Sequence, residues 1–225
     1  SDMADMTDRD VEAARKIYAM VSNIDDNIKR IWETVAEEGI SEETLIIFIT
    51  DNGPQQRRYN GGLRSRKGSV YEGGIRVPSF WHWPEKLVPG DREFISAHID
   101  VLPTLLDICS IQDNTQNPVD GISLLPVLMG ENEDKVKRNM AHYWYRGYLE
   151  PYHNIAFRSG KYKLVAQGDY TMENSEFELY DILSDPNEET DISDSSELLV
   201  DSLRRGFDGW YTEIMESENL NIQRI

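Results

Sequence analysis

Between Thr7 and about Glu38, apolar residues recur at Val11, Ala14, Tyr18, Val21, Ile28, Trp32 and Val35. That three-four spacing lines one face of a long amphipathic helix, with Thr7 or Asp8 placed to cap its start and Gly39 to end it. Asp25 interrupts the stripe and a strand follows at once, so packing against a sheet is expected in preference to a coiled coil. Leu45 to Thr50 is short, continuously apolar and rich in β-branched residues. It reads as a strand covered on both faces, as in a parallel sheet. Val77 to Trp83 predicts a second strand, ended by Pro84, and Glu93 to Ala97 a third. Pro103 to Cys109 and Ser123 to Met129 predict short helices.

The pattern changes after the charged stretch Glu131 to Arg138, which reads as a linker. Strands are expected at Met140 to Tyr145, Asn154 to Arg158, Tyr162 to Ala166 and Phe177 to Ile182, with Ser159-Gly160 turning a hairpin. The turn Ser184-Asp185-Pro186-Asn187 follows, then an amphipathic helix over Ser196 to Met215. Two domains are therefore expected, an α/β part over 1–135 and a small antiparallel α+β unit over 136–225.

Where the first strand ends, the chain places Asp51 and Asn52 in the sequence Thr-Asp-Asn-Gly-Pro. A carboxylate beside a carboxamide is a pair of hard oxygen donors suited to Ca²⁺ or Mg²⁺, which take such oxygens at strand ends and in loops. The same four residues, Asp-Asn-Gly-Pro, also make an ordinary turn. Both readings stand on these residues alone. The loop that begins here is rich in glycine, at 53, 61, 62, 68, 73 and 74, which predicts close backbone approach or unusual dihedrals.

Composition narrows the choice of partner. The 225 residues carry a formal net charge of −18, which disfavours nucleic acid and an anionic membrane surface, since both demand a cationic protein face. Yet Arg57, Arg58, Arg64, Arg66, Lys67 and Arg76 stand against only Glu72 between Pro54 and Pro78. An acidic chain thus holds one cationic island, in the loop that follows Asp51 and Asn52. Lys67, near its centre, could meet a tetrahedral anion as a point charge, although charge runs are commonly solvated surface.

Other candidates carry less. His82, His98, His142 and His153 show no zinc-type spacing and read as structural. Cys109 ends an apolar helical face and reads as a buried, inert thiol; being the sole cysteine, it permits no intrachain disulfide. No apolar run reaches the length of a membrane-spanning helix. The N-terminal residues lack the basic and apolar regions of a signal peptide, so the expectation is either a protein that is not exported or a chain that begins within a longer one. The compartment stays open, with a periplasmic or secreted parent one option.

The blocks "TLIIFITDNGP", "GGLRSRKGSVYEGGIRVPSFWHWP", "AHIDVLPTLLDI", "DGISLLPVLMG", "RSGKYKLV" and "FELYDILSDPNEETDI" together resemble the C-terminal half of sulfatases of the arylsulfatase type, in the alkaline-phosphatase-like superfamily. "YAMVSNIDDNIKRIWETV" resembles the helix that precedes them. The resemblance implies a partial alkaline-phosphatase-like α/β/α sandwich, class α/β, followed by a small C-terminal antiparallel-sheet α+β subdomain. It implies that Asp51 and Asn52 are metal ligands, two of those to a catalytic Ca²⁺ completed by an aspartate pair from the N-terminal half of the polypeptide. It further implies that Lys67 binds the sulfate of an aryl or carbohydrate sulfate ester, and that a formylglycine made within Cys/Ser-x-Pro-x-Arg is the nucleophile.

This chain departs from that pattern. It contains no Cys/Ser-x-Pro-x-Arg motif, and Cys109-Ser110-Ile111-Gln112 cannot stand in for one. The chain on its own is therefore expected not to turn over sulfate esters. A phosphodiesterase or phosphonate hydrolase of the same superfamily, or a non-catalytic module that binds sulfated glycans through the cationic loop, are the alternatives. Tyr143, Tyr145, Arg146 and Tyr148 read as strand residues, with pocket lining as the alternative.

Overall fold

A computed structural model describes residues 6–112, 119–131, 138–143, 153–167 and 177–216. The chain forms two compact units: one of residues 1–14, 52–76 and 138–225, the other of 15–51 and 77–137.

The long helix forms as expected, α1 over Asp8–Glu37. Thr7 caps it reciprocally: its hydroxyl accepts from the Asp10 N–H at 3.3 Å, and the Asp10 carboxylate accepts from the Thr7 N–H at 3.0 Å. At the other end Gly39 takes φ +68°, and the Ile40 N–H reaches back to the Val35 carbonyl at 3.2 Å. With the Glu38 and Gly39 N–H groups, that closure gives partners to the carbonyls of Thr34, Val35 and Ala36 at the helix end.

In the second unit, β1 (Ile46–Ile49) pairs with β2 (Ser79–His82). The pairing is antiparallel, with Ile46 opposite His82 and Ile49 opposite Ser79. This corrects the expectation of a parallel strand buried on both faces: β1 is half-buried, with Ile49 exposed, and Phe80 of β2 is exposed as well. A continuous apolar run specifies a strand, but it does not specify the direction of its neighbour. Helix and ribbon meet where the Trp32 ring lies against His82, with centroids 4.4 Å apart. No strand forms at Glu93 to Ala97, a stretch without a ladder partner.

The short helix α2 (Glu72–Ile75) belongs to the first unit; in the second, helix α3 (Val101–Ile108) and the single turn α4 (Leu125–Leu128) follow the ribbon. They are joined through Asp100, which is fully buried: its carboxylate accepts from the N–H groups of Ala97 at 2.7 Å and Ile122 at 3.0 Å. Thr104 completes the joint by donating to the Asp100 carbonyl and accepting from the Leu124 N–H. Cys109 lies just beyond α3 and is exposed, not buried as expected. The helix ends one residue earlier, at Ile108, and the apolar face ends with it.

The first unit is built on a four-stranded antiparallel sheet in sequence order, β3 (Asn139–Tyr143), β4 (Ile155–Ser159), β5 (Tyr162–Ala166) and β6 (Phe177–Asp181). Ser159 pairs with Tyr162 across the hairpin, whose tight turn uses Gly160 at φ +56°. Alternation divides the strands between two faces. Ile155, Phe157, Leu164, Ala166 and Leu179 pack against Leu203 and Phe207 of α5 (Glu197–Glu216). Gly206 is the reason the helix can approach: a Cβ there would stand 2.7 Å from the Phe157 ring. The other face buries Ala156, Val165, Tyr180 and Ile182 under Val70 and Tyr71.

Candidate active site

The segment 52–76 is a loop folded on itself, closed by α2. Its glycines do what their number predicts. Gly61, Gly62 and Gly68 adopt positive φ, while Gly53, Gly73 and Gly74 are sites of close backbone approach. A Cβ on Gly53 would stand 1.9 Å from the Gly73 carbonyl oxygen, and one on Gly73 would stand 2.3 Å from that of Arg64. The Gly53 N–H donates to the Gly74 carbonyl at 2.8 Å, and the Gly73 N–H to Arg64 at 2.8 Å.

The same closure fixes the backbone of Lys67. Its N–H donates to the Pro54 carbonyl at 3.0 Å, so the lysine is tied two residues beyond Asn52. The side chain is exposed and has no ion-pair partner among the described residues. Asp51, the first residue after Thr50, is exposed, and Asn52 is half-buried. His98 also reaches the strand end, with Nε2 2.6 Å from the Thr50 carbonyl. That bond requires the tautomer with the proton on Nε2, and it is a structural role.

The cationic island splits into two groups of different use. Arg64 is committed to structure: its guanidinium lies over the Tyr71 ring at 3.9 Å and donates to the Tyr180 hydroxyl at 2.5 Å and to Glu178 at 3.2 Å. Glu178 Oε2 also accepts from Tyr71 Oη at 2.5 Å and from Tyr180 Oη at 2.6 Å. Burial, then Glu178, holds both phenols protonated well above the ordinary tyrosine range. Arg57, Arg58 and Arg66 instead line a cavity of about 280 Å³ together with Pro54, Gln56, Asn60 and Ser65. Arg57 and Arg58 are half-buried rather than fully solvated.

Beneath the loop lies a charged cluster that sequence reasoning missed. Lys163 Nζ, fully buried in β5, stands 2.8 Å from Glu72 Oε1 and 2.9 Å from Glu188 Oε1. Glu188 Oε2 accepts from the Glu72 N–H at 2.7 Å, so one carboxylate holds both the lysine and the start of α2. Glu188 Oε1 makes only the ionic contact, outside hydrogen-bond geometry. Burial pushes the Glu188 carboxyl up despite Lys163. Burial also opposes ionisation of Glu72, but Lys163, Arg158 and Arg76 outweigh it and hold that carboxyl below its usual range. The available signal was a lone lysine inside the apolar strand Tyr-Lys-Leu-Val-Ala.

Tyr145, Arg146 and Tyr148 lie outside the described residues; Tyr143 is described only as the last residue of β3. Among the described residues no cluster of three or more His, Cys, Asp or Glu could hold a metal by itself, and no helix is long and apolar enough to cross a membrane.

Residues 2–111 match the Sulfatase family model, and residues 65–205 match that of the N-sulphoglucosamine sulphohydrolase C-terminal region. The chain belongs to the sulfatase family, within the alkaline-phosphatase-like superfamily. It is 29% identical over 189 residues to the uncharacterized sulfatase YdeN of Escherichia coli, covering 75% of this chain and 33% of that protein. It is 32% identical over 146 residues to human arylsulfatase A, covering 62% of this chain and 28% of the enzyme. The crystal structure of Ps i-CgsB superposes with a TM-score of 0.73 at 25% identity, over 97% of this chain and 47% of that one. Ps i-CgsB has also been solved in complex with k-i-k-neocarrahexaose. The chain spans about a third of the length of the curated relatives it matches.

Proposed function

We propose that this chain is the C-terminal portion of a sulfatase that hydrolyses sulfate esters, and that Lys67 binds the sulfate group. The observation that carries the reading is the backbone bond from Lys67 to Pro54, which ties the backbone of an exposed lysine, without an ion-pair partner among the described residues, to the residue two positions beyond Asn52. Arg64 is held elsewhere, its Nη1 donating to Tyr180 and Glu178 and its guanidinium lying over the Tyr71 ring. An ammonium with three donors and no competing carboxylate is suited to a sulfate oxygen, and it would offset the charge of the bound anion.

Asp51 and Asn52 are the metal ligands in this reading. Their oxygens fit Ca²⁺ in kind, and two donors fit only as part of a shell of about six to eight. The rest would come from the aspartate pair of the N-terminal half of the polypeptide. Bound there, Ca²⁺ would supply Lewis-acid stabilisation of charge on sulfate. The nucleophile, a formylglycine, would come from the same half, since no Cys/Ser-x-Pro-x-Arg motif occurs in this sequence. In this division residues 1–135 belong to the catalytic α/β domain and 136–225 form the accessory subdomain. The complex of Ps i-CgsB with k-i-k-neocarrahexaose supports a carbohydrate sulfate over an aryl sulfate as the natural substrate.

The test is hydrolysis of p-nitrophenyl sulfate by the chain alone and by the full-length polypeptide. The chain alone is expected to be inactive and the full polypeptide active. Appreciable turnover by the chain alone would overturn the assignment of the nucleophile elsewhere. Preferential hydrolysis of bis-p-nitrophenyl phosphate by the full polypeptide would point to a phosphodiesterase.

A further inference from the structure

The cavity of about 280 Å³ beside Lys67 has no part in the chemistry assigned above. Its volume falls at or below the lower end of pockets that enclose a whole small-molecule ligand, roughly 300 Å³, and suits one charged substituent. Its rim is braced from within. The Asn60 carboxamide donates to the carbonyls of Leu63 at 2.8 Å and Ser65 at 3.2 Å, and the Lys67 N–H closes on Pro54.

Three arginines line this space, and their compensation differs. Arg57 has an acidic neighbour, since its charge helps to hold the Asp10 carboxyl below the usual range, after the hydrogen bonds from Thr7. Arg58 and Arg66 have no carboxylate partner among the described residues. Like charges brought together at one braced cavity repel within a Debye length of about 8 Å. In a chain with a net charge of −18, acidic side chains were abundant, yet none is among the residues that line the cavity. An anion entering the cavity would relieve that repulsion and could be gripped in bidentate fashion.

We propose that Arg58 and Arg66 form a second anion subsite, so that the substrate carries another sulfate or carboxylate besides the sulfate held by Lys67. The proposal rests on the reading of Lys67 as the sulfate-binding residue, and it names the substrate class as polyanionic saccharides. Arg66 and Lys67 are adjacent in sequence, and Pro54 belongs to both the cavity wall and the Lys67 tether. One braced loop thus presents both cationic positions.

The test is calorimetric binding of galactose 6-sulfate and galactose 2,6-disulfate to the full-length polypeptide, stripped of metal with EDTA to prevent turnover, at low ionic strength. The wild type is expected to prefer the disulfate by about tenfold or more, the return on one charge-assisted contact. R58Q/R66Q should reduce the preference to within about twofold, by lowering disulfate affinity far more than monosulfate affinity, and R58K/R66K should keep only part of it, because Lys retains the charge but not the bidentate fork. R15Q/R30Q, which removes equal charge from α1, should leave the preference intact. Equal binding of the two sugars, no binding of either, or loss of preference in R15Q/R30Q would overturn the subsite. If K67Q leaves monosulfate binding unchanged while R58Q/R66Q still abolishes the preference, the Lys67 reading fails and the Arg58-Arg66 subsite stands.

Discussion

Lys163 Nζ lies 2.8 Å from Glu72 Oε1 with both side chains withdrawn from water. Glu72 begins α2, the last turn of the cationic loop, so this ion pair fastens the loop to the sheet below it. Removing the lysine takes from Glu188 its cationic neighbour and leaves Glu72 with the more distant Arg76 at 3.8 Å. Lys163→Met is therefore expected to destabilise the chain by about 3–5 kcal/mol, read as a fall in the urea midpoint. A loss under about 1 kcal/mol would show that the cluster is hydrated in solution.

Glu178 collects donors from Tyr71, Tyr180 and Arg64 at one oxygen. Tyr71→Phe removes one of them and leaves the ring under Arg64. The expected cost is about 1–2 kcal/mol, within the range for hydrogen bonds to a charged acceptor. Glu178→Gln should cost more, because it also removes the charge facing Arg64. Denaturant melts of the two variants check the order.

His142, in β3, is pushed down to about 4, by burial first and then by the charge of Lys163, against a smaller opposing pull from Glu72. Arg158 and Arg138 add to the depression. The folded protein therefore binds this proton less readily than the unfolded chain, whose His titrates near 6.5. Stability contributed by the neutral ring is complete above about pH 6.5 and is lost as pH falls toward 4, by at most about 3 kcal/mol. His142→Gln should flatten the profile of stability against pH in that window. Glu72 contributes in the same direction at lower pH, and Glu188, whose carboxyl is raised, in the opposite one.

Gly53 and Gly61 separate two uses of glycine in the loop. A Cβ on Gly53 would overlap the Gly73 carbonyl, whereas one on Gly61 meets open space and must only tolerate φ +79°. Gly61→Ala should cost about 1 kcal/mol. Gly53→Ala should break the bond between Gly53 and Gly74, deprotect the loop amides in hydrogen exchange and weaken binding of sulfated sugar.

Much of this organisation is legible along the chain. The α1 stripe, its Thr7 cap and its Gly39 stop rest on local periodicity and capping, and they fall within a residue of expectation. The hairpin at Ser159-Gly160 and the α5 helix are equally local. The direction of the β1 partner was not legible, because an apolar run records burial and not pairing. Nor was the link of Glu72 to Lys163 and Glu188, which joins Glu72 to a strand residue 91 positions away. Only a buried lysine in an apolar strand hinted at it. The cationic loop was visible as a charge count, but the division between a structural Arg64 and a cavity-lining Arg58 and Arg66 required their neighbours.

The assignment of Lys67 to the sulfate is tested most directly by steady-state hydrolysis of p-nitrophenyl sulfate by the full-length polypeptide and its Lys67→Ala variant. Loss of a preorganised charged donor to the reacting group predicts a fall in kcat/KM of about 100-fold or more, with the fold and its melting temperature unchanged. Activity within a few-fold of wild type would contradict the account.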